Sequence, residues 1–211
     1  MTAVVTLPAR SRTEDAKLAR RTAILVAARR VLARRGLRGT TVGDIAREAE
    51  VAVGTLYLYF PSKSAVFAAL QELLFDTIDS AVRDAAGPAD DMSTATRARI
   101  RAAFEACRVN RDLLRLIVIN TDPRSRMARH LHEANRRRCQ PLARTLRAGM
   151  QAGLLRQDDP ELLARMINGL VSYAIYECYV LGQGQDAEAV QDVLARMITA
   201  ALTEQGQGGR P

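Results

Sequence analysis

Tryptophan is absent from the chain, and its nine aromatic residues, four Phe and five Tyr, serve 211 positions. Sheets draw on aromatic and β-branched side chains, so this scarcity beside abundant Ala, Leu and Arg argues for helix packing. The expected fold class is all-α, with about nine helices. Cysteine is scarce too. Cys107, Cys139 and Cys178 are far apart, odd in number and in no C-x-x-C pair, which argues against a disulfide framework or a zinc ribbon. The two histidines, His130 and His132, form an H-x-H pair whose rings would point about 200° apart on a helix, so even with Glu133 and Cys139 nearby no metal site is expected. No Ser-His-Asp set, phosphate-binding glycine loop or dinucleotide fingerprint occurs, so neither an enzyme nor a cofactor is expected. The longest apolar stretch, "GLVSYAIYECYVLG" at 169–182, is too short to span a bilayer and contains Glu177. "MTAVVTLPAR" at the start has only a short apolar patch ended by Pro8 and does not read as a secretory signal. The expectation is a cytoplasmic chain with no membrane partner.

What the chain does have is unevenly placed. Residues 1–64 hold 12 Lys+Arg against 5 Asp+Glu, whereas residues 65–211 hold 19 against 18, so nearly all of the net +8 lies in the first third. Such asymmetry suggests that one segment meets a polyanion while the rest does something else, a solvated basic surface being the plainer reading. Hydrophobic residues, 48% of the total, suffice for a real core.

Residues 1–12 lack helical periodicity and carry Arg10 and Arg12, so they read as a flexible basic arm. From Thr13 the pattern turns helical, with Ile24, Ala27, Ala28, Val31 and Leu32 on one face and arginines over most of the remainder. Gly36 ends this helix and Gly39 lies in the connection. Thr41, three residues before Asp44, resembles a capping box with Asp in place of the usual Glu or Gln. It opens a two-turn helix whose buried stripe is Val42, Ile45, Ala46 and Ala49. After "EVAV" a third helix runs to Phe60, with Leu56 and Phe60 expected inward, Thr55, Leu58 and Tyr59 outward and Tyr57 at the margin. Two short helices joined by a tight turn behind a longer one make a helix-turn-helix unit, placed at 13–64. That unit accounts for three of the nine aromatics lying between Tyr57 and Phe60. A tyrosine on a docking helix offers a flat face to sugar or a thymine methyl and a hydroxyl to a phosphate. Gly54 has no side chain to hold its backbone off a nucleic acid, and Ser62 can cap the helix that begins at Lys63.

The stretch "TTVGDIAREAEVAVGTLYLYFPSKSAVF", and residues 20–67 more broadly, resemble the DNA-binding domain of the tetracycline-repressor (TetR) family of bacterial transcription regulators. The resemblance implies phosphate contacts from Thr41, Tyr57 and Lys63, a backbone-facing Tyr59, and a base-reading position at Thr55. Glu50 stands where the family usually has Gly, and Val53 where it often has a basic or small residue. Arg47, pointing out of the second helix, is then expected to carry more of the base readout, since Arg pairs bidentately with guanine.

Beyond residue 64 the periodicity predicts a fourth helix through Val66, Leu70, Leu73, Leu74, Ile78 and Val82, a break at "GPADD", and helices at 93–109, 111–120, 124–152, 160–181 and 187–204. The tail at 206–211 reads as disordered. The resemblance implies that 65–205 is a helical effector-binding and dimerisation domain. The helices at 160–181 and 187–204 carry more apolar surface than one core needs and are expected to form the homodimer interface, presenting a double-stranded DNA operator with two reading heads. Phe104, Cys107, Leu114, Ile117, Met127, Leu131, Met166, Tyr173 and Tyr176 lie on helices that enclose a cavity in relatives, with Asn120 and Glu177 as polar groups able to orient a small-molecule effector. "NRRRCQ" at 135–140 reads as a solvated run, an anionic effector being the alternative. The expected function is a repressor released from a palindromic operator by a small molecule. Its rival is a constitutive or partner-controlled DNA-binding regulator that takes no such ligand.

Overall fold

The computed structural model describes residues 12–85, 87, 91–120, 136–182 and 184–203. The described residues form nine α-helices: α1 (Arg12–Arg35), α2 (Val42–Glu48), α3 (Val53–Tyr59), α4 (Lys63–Asp84), α5 (Met92–Val109), α6 (Arg111–Asn120), α7 (Gln140–Gln151), α8 (Pro160–Tyr176) and α9 (Ala187–Thr203). A π-helical turn, Glu177–Leu181, continues α8. The chain divides within α4 into two compact units, one through Gln71 and one from Glu72. The boundary is therefore later than the expected 64/65, because Val66, Phe67 and Leu70 on the first turns of α4 are buried in the first unit. The expected arm at 1–12 lies, but for Arg12, outside the described residues, as does the tail at 206–211.

In the first unit the stripe Ile24, Ala27, Ala28, Val31 and Leu32 is buried as periodicity requires, together with Ile45, Ala46, Leu56 and Phe60. Gly36 takes a φ of +67°, the left-handed conformation that ends α1. The Thr41 capping box is complete: Thr41 Oγ1 accepts from the Asp44 amide and Asp44 Oδ2 accepts from the Thr41 amide. The end of α2 is a Schellman motif, with the Val51 amide donating to Ala46 O at 3.0 Å and the Glu50 amide to Arg47 O at 3.2 Å. That motif puts its left-handed residue at Glu50, whose φ is +53°. Ser62 caps α4 by accepting from the Ala65 amide at 3.1 Å.

The second unit has its own core, in which Ile100, Phe104 and Cys107 of α5 meet Ala143, Leu146 and Met150 of α7, Ala164 and Ile175 of α8, and Leu194, Ile198 and Leu202 of α9. Ile78 and Val82 of α4 pack against it, but Leu73, placed by periodicity on the same stripe, is exposed. Two expected helices differ in detail. The one expected over 124–152 is interrupted at Cys139, where residues 136–138 are helical and α7 starts anew at Gln140. Pro141 lacks the amide that would bond back to residue 137, so an unbroken ladder is not available there. At the end of α8 the ladder widens, with the Gly182 amide reaching Glu177 O and Arg115 Nε of α6 donating to Tyr179 O at 2.7 Å. Tyr179 sits edge-on to Phe104, ring centres 5.9 Å apart. Among the described residues no helix is long and apolar enough to cross a membrane.

Candidate nucleic-acid interface

The centre of the first unit's polar surface is Asp44. Its carboxylate accepts from the Thr41 hydroxyl at 2.7 Å, the Thr41 amide at 3.0 Å, Arg35 Nη1 at 2.8 Å and Arg47 Nη1 at 3.2 Å. The Thr41 hydroxyl above all, then its amide and Arg35, hold this carboxyl well below the usual carboxylate range. A permanent anion therefore positions the Arg47 guanidinium, whose side chain is otherwise 78% exposed. Glu48, a turn further along α2, acts in the same way, pairing with Arg34 and, at 3.9 Å, with Arg30. Two acids of α2 thus tie down three arginines at the end of α1.

Lys63 has an internal role. Its ammonium donates to Leu37 O at 2.7 Å and Thr40 O at 2.8 Å, closing the α1–α2 connection onto the start of α4. Thr41, likewise expected at a phosphate, already directs its hydroxyl proton at Asp44. Thr41 would have to turn its hydroxyl proton away from Asp44 to donate it to a phosphate, whereas the Lys63 ammonium, with two of its three protons committed, keeps one for such a contact. Sequence reading finds the Thr41–Asp44 cap but misses the pairing of Asp44 with Arg35 and the uses of Glu48 and Lys63, because those partners lie 9 to 26 residues away and no local spacing signals them.

α3 is set differently from its expected rotation. Leu56 is buried and Phe60 packs behind it under the Arg21 guanidinium, which stands 5.1 Å from the ring centre. The exposed arc consists of Val53, Gly54, Tyr57 (50% exposed) and Leu58 (81%). Thr55 and Tyr59, both expected to face outward, are half-buried one above the other on a single flank, and Tyr57, expected at the margin, stands out. A Cβ built on Gly54 meets no atom within 4 Å, so nothing in the protein's own packing requires glycine there.

The expected effector residues divide into several groups. Phe104, Cys107 and Ile117 are buried and Leu114 packs on the same core. Burial pushes the Cys107 thiol up to about 12, so it behaves as an inert apolar group. Met166 and Tyr173, both 61% exposed, face out of the protomer and line no interior space. The reason is helical phase: Leu162, Met166, Leu170 and Tyr173 recur at the spacing of one α8 face, opposite the buried Ala164, Ala174 and Ile175. Glu177 is drawn to the same side by a hydrogen bond from Tyr173, which raises that phenol. Tyr176 is half-buried beside Tyr173, ring centres 6.4 Å apart. Of Asn120 only the backbone, at the end of α6, is described, and Met127, Leu131 and the two histidines lie outside the described residues. The arginine run is only partly solvated: Arg136 and Arg137 are exposed, but Arg138 is engaged with Asp79 and Phe75 of α4.

Residues 24–70 match the family described as bacterial regulatory proteins, tetR family, and residues 95–204 match the C-terminal domain of AefR-like transcriptional repressors. The chain is 26% identical over 193 residues to the HTH-type transcriptional repressor KstR2 of Mycobacterium tuberculosis, covering 89% of this chain and 94% of KstR2. It is 26% identical over 91 residues to the uncharacterized HTH-type transcriptional regulator YuxN of Bacillus subtilis, covering 43% of this chain and 31% of that relative, so the match spans about a third of YuxN's length. Among solved structures, the fatty acid degradation regulator FadR from Bacillus halodurans superposes with a TM-score of 0.71 at 23% identity, over 90% of this chain and 97% of FadR. A SmeT–triclosan complex gives 0.71 at 23% identity, over 92% and 97%. At such identities the structural likeness is one of fold.

Proposed function

Because the chain belongs to the tetR family of bacterial regulatory proteins, and so is a DNA-binding transcriptional regulator, we propose that it is a homodimeric repressor released from a palindromic operator by a small molecule. The observation that carries this reading is the pair of outward apolar faces on the second unit. Leu162, Met166, Leu170 and Tyr173 on α8 and Val193 and Met197 on α9 are exposed at helical spacing on two helices that touch. Gly169 lies within the α8 face, and a Cβ there would meet nothing within 4 Å. A mid-helix glycine that its own protomer does not need suits close approach by a second helix. Burying these faces against a second copy gives a two-fold dimer with reading heads about 34–36 Å apart, one turn of DNA, and hence an inverted repeat as operator.

Release by a ligand is supported by the SmeT–triclosan complex and repression by the name of KstR2, each said of those proteins. Effector binding shifts the equilibrium only if it favours a dimer whose heads no longer match the groove spacing. The test is affinity for an inverted repeat flanking the gene, with and without candidate effectors, alongside sedimentation of the wild type and Met197→Glu. A dimer, a specific repeat and a ligand that lowers affinity support the proposal. A tightly bound ligand that leaves operator affinity unchanged removes the release mechanism.

A further inference from the structure

The helix that the DNA-binding reading places in the major groove carries almost nothing with which to hydrogen-bond a base. α3 reads "VGTLYLY" and contains no Arg, Lys, Asn, Gln, Asp or Glu. Those, with Ser and Thr, are the side chains that hydrogen-bond base edges, and the one such hydroxyl residue of α3, Thr55, is half-buried beside the exposed arc; the remaining distinctive feature of the groove is the thymine 5-methyl group, which is read by apolar contact. The exposed arc of α3 is built for that. Val53 and Tyr57 are one turn apart, Gly54 and Leu58 likewise, and the two rows lie side by side. Leu58 at 81% exposure is the most exposed of the large apolar side chains described, and Val53 is 44% exposed. Neither contributes to the buried core of the first unit, and the only polar side-chain atom on the arc is the Tyr57 hydroxyl. In the second row Gly54 leaves open space where any other side chain would hold a base edge away. A cationic rim fits the same occupant, with Arg47 on α2 and Arg38 before it both exposed.

We infer that this protein reads its half-site through thymine methyl groups packed on Val53 and Leu58 of α3, and that the hydrogen-bonded share of the readout falls to Arg47 on α2. The inference rests on the DNA-binding reading above and specifies how it works. It requires thymines at the groove positions under α3 in both half-sites, each methyl buried against an aliphatic side chain.

The experiment replaces the thymines of the footprinted operator one at a time with deoxyuridine, which deletes the methyl and leaves every hydrogen-bonding group. Affinity is measured by anisotropy for the wild type, Val53→Ala and Leu58→Ala, with an unrelated duplex as control. Each variant truncates an exposed side chain, and thermal melts check that it folds. The expected result is a loss of roughly threefold to tenfold at one or two positions per half-site. That loss should disappear in the variant lacking the side chain concerned, as a thermodynamic cycle requires of a direct contact. Wild-type affinity for a fully deoxyuridine operator, with preference over the control intact, overturns the methyl reading and leaves DNA recognition standing. A deoxyuridine penalty of equal size in both variants shows that the methyl acts through DNA shape or another residue, and overturns the assignment to Val53 and Leu58. Equal binding to every duplex overturns both readings.

Discussion

Arg138 donates two parallel hydrogen bonds, each 2.7 Å, to the carboxylate of Asp79. The guanidinium also lies over the Phe75 ring, 4.3 Å from its centre, so one side chain binds the residues before α7 to two positions of α4. Both partners are partly exposed, at 20% and 29%, which reduces the value of the pair below that of a fully buried fork. Asp79→Asn is expected to destabilise the protein by about 1–2 kcal/mol, read from urea unfolding. Arg138→Lys should recover little of this, because an ammonium makes neither the fork nor the stacked contact. An unchanged midpoint in both variants contradicts the assignment.

Glu50 bears the left-handed residue of the α2–α3 turn, and a side chain there costs about 1 kcal/mol relative to glycine. Glu50→Gly is expected to stabilise the protein by about 1 kcal/mol, read as a higher urea midpoint with no change in the slope of the transition. A lower midpoint would mean that the glutamate makes a compensating interaction.

Gly54 sits inside a helix with an empty surround, so alanine should be the better residue for folding and the worse one for recognition. Gly54→Ala is expected to stabilise the protein by about 0.5–1 kcal/mol while weakening operator binding roughly tenfold or more. Opposite signs in the two assays separate a groove-approach role from a structural one. A variant that gains stability and keeps its operator affinity places the DNA elsewhere.

Acid should loosen the fold through its caps. Asp44 is held far below its ordinary 3.8 by the Thr41 hydroxyl, then the Thr41 amide and Arg35. Asp91 at the head of α5 is lowered by the Thr94 amide and hydroxyl. A depressed carboxylate stabilises the native state above its ordinary value, and that stabilisation is lost as pH falls through 3.8 toward the lower native-state value, since the unfolded chain takes up the proton first. Thermal midpoints are expected to stay level between about pH 7 and 5 and to drop below about pH 4. In Asp44→Asn the midpoint should already be lower at neutral pH and its acid decline shallower. Parallel declines in the two proteins would contradict this origin.

The elements legible in the sequence are those set by short-range rules. The stripe from Ile24 to Leu32, the Thr41 capping box, the Gly36 stop and the two-helix turn each depend on residues within two turns of one another. The setting of α3 is not legible in this way because Phe60 is not on the helix. It is the C-cap, with an extended φ of −140°, so its burial says nothing of helical phase and Leu56 alone fixes the face. Met166 and Tyr173 read as cavity residues because a helix that is apolar all round has no marked inner side; only packing shows which face the protomer keeps. Lys63 reads as a phosphate ligand and Arg138 as one of a solvated run, whereas their acceptors lie 23, 26 and 59 residues away in the chain.

The ion pairs at the end of α1 change what the basic N-terminal third costs a duplex to bind. DNA releases a condensed cation for each phosphate that a protein charge neutralises, and this release sets how steeply affinity falls with salt. Arg34 and Arg35 have carboxylates of their own, Glu48 and Asp44, and an arginine that keeps its acid displaces no cation. The logarithmic salt dependence of binding is therefore expected to be shallower than the count of basic residues implies, and the hold on arbitrary sequence, which consists of little else, correspondingly weaker.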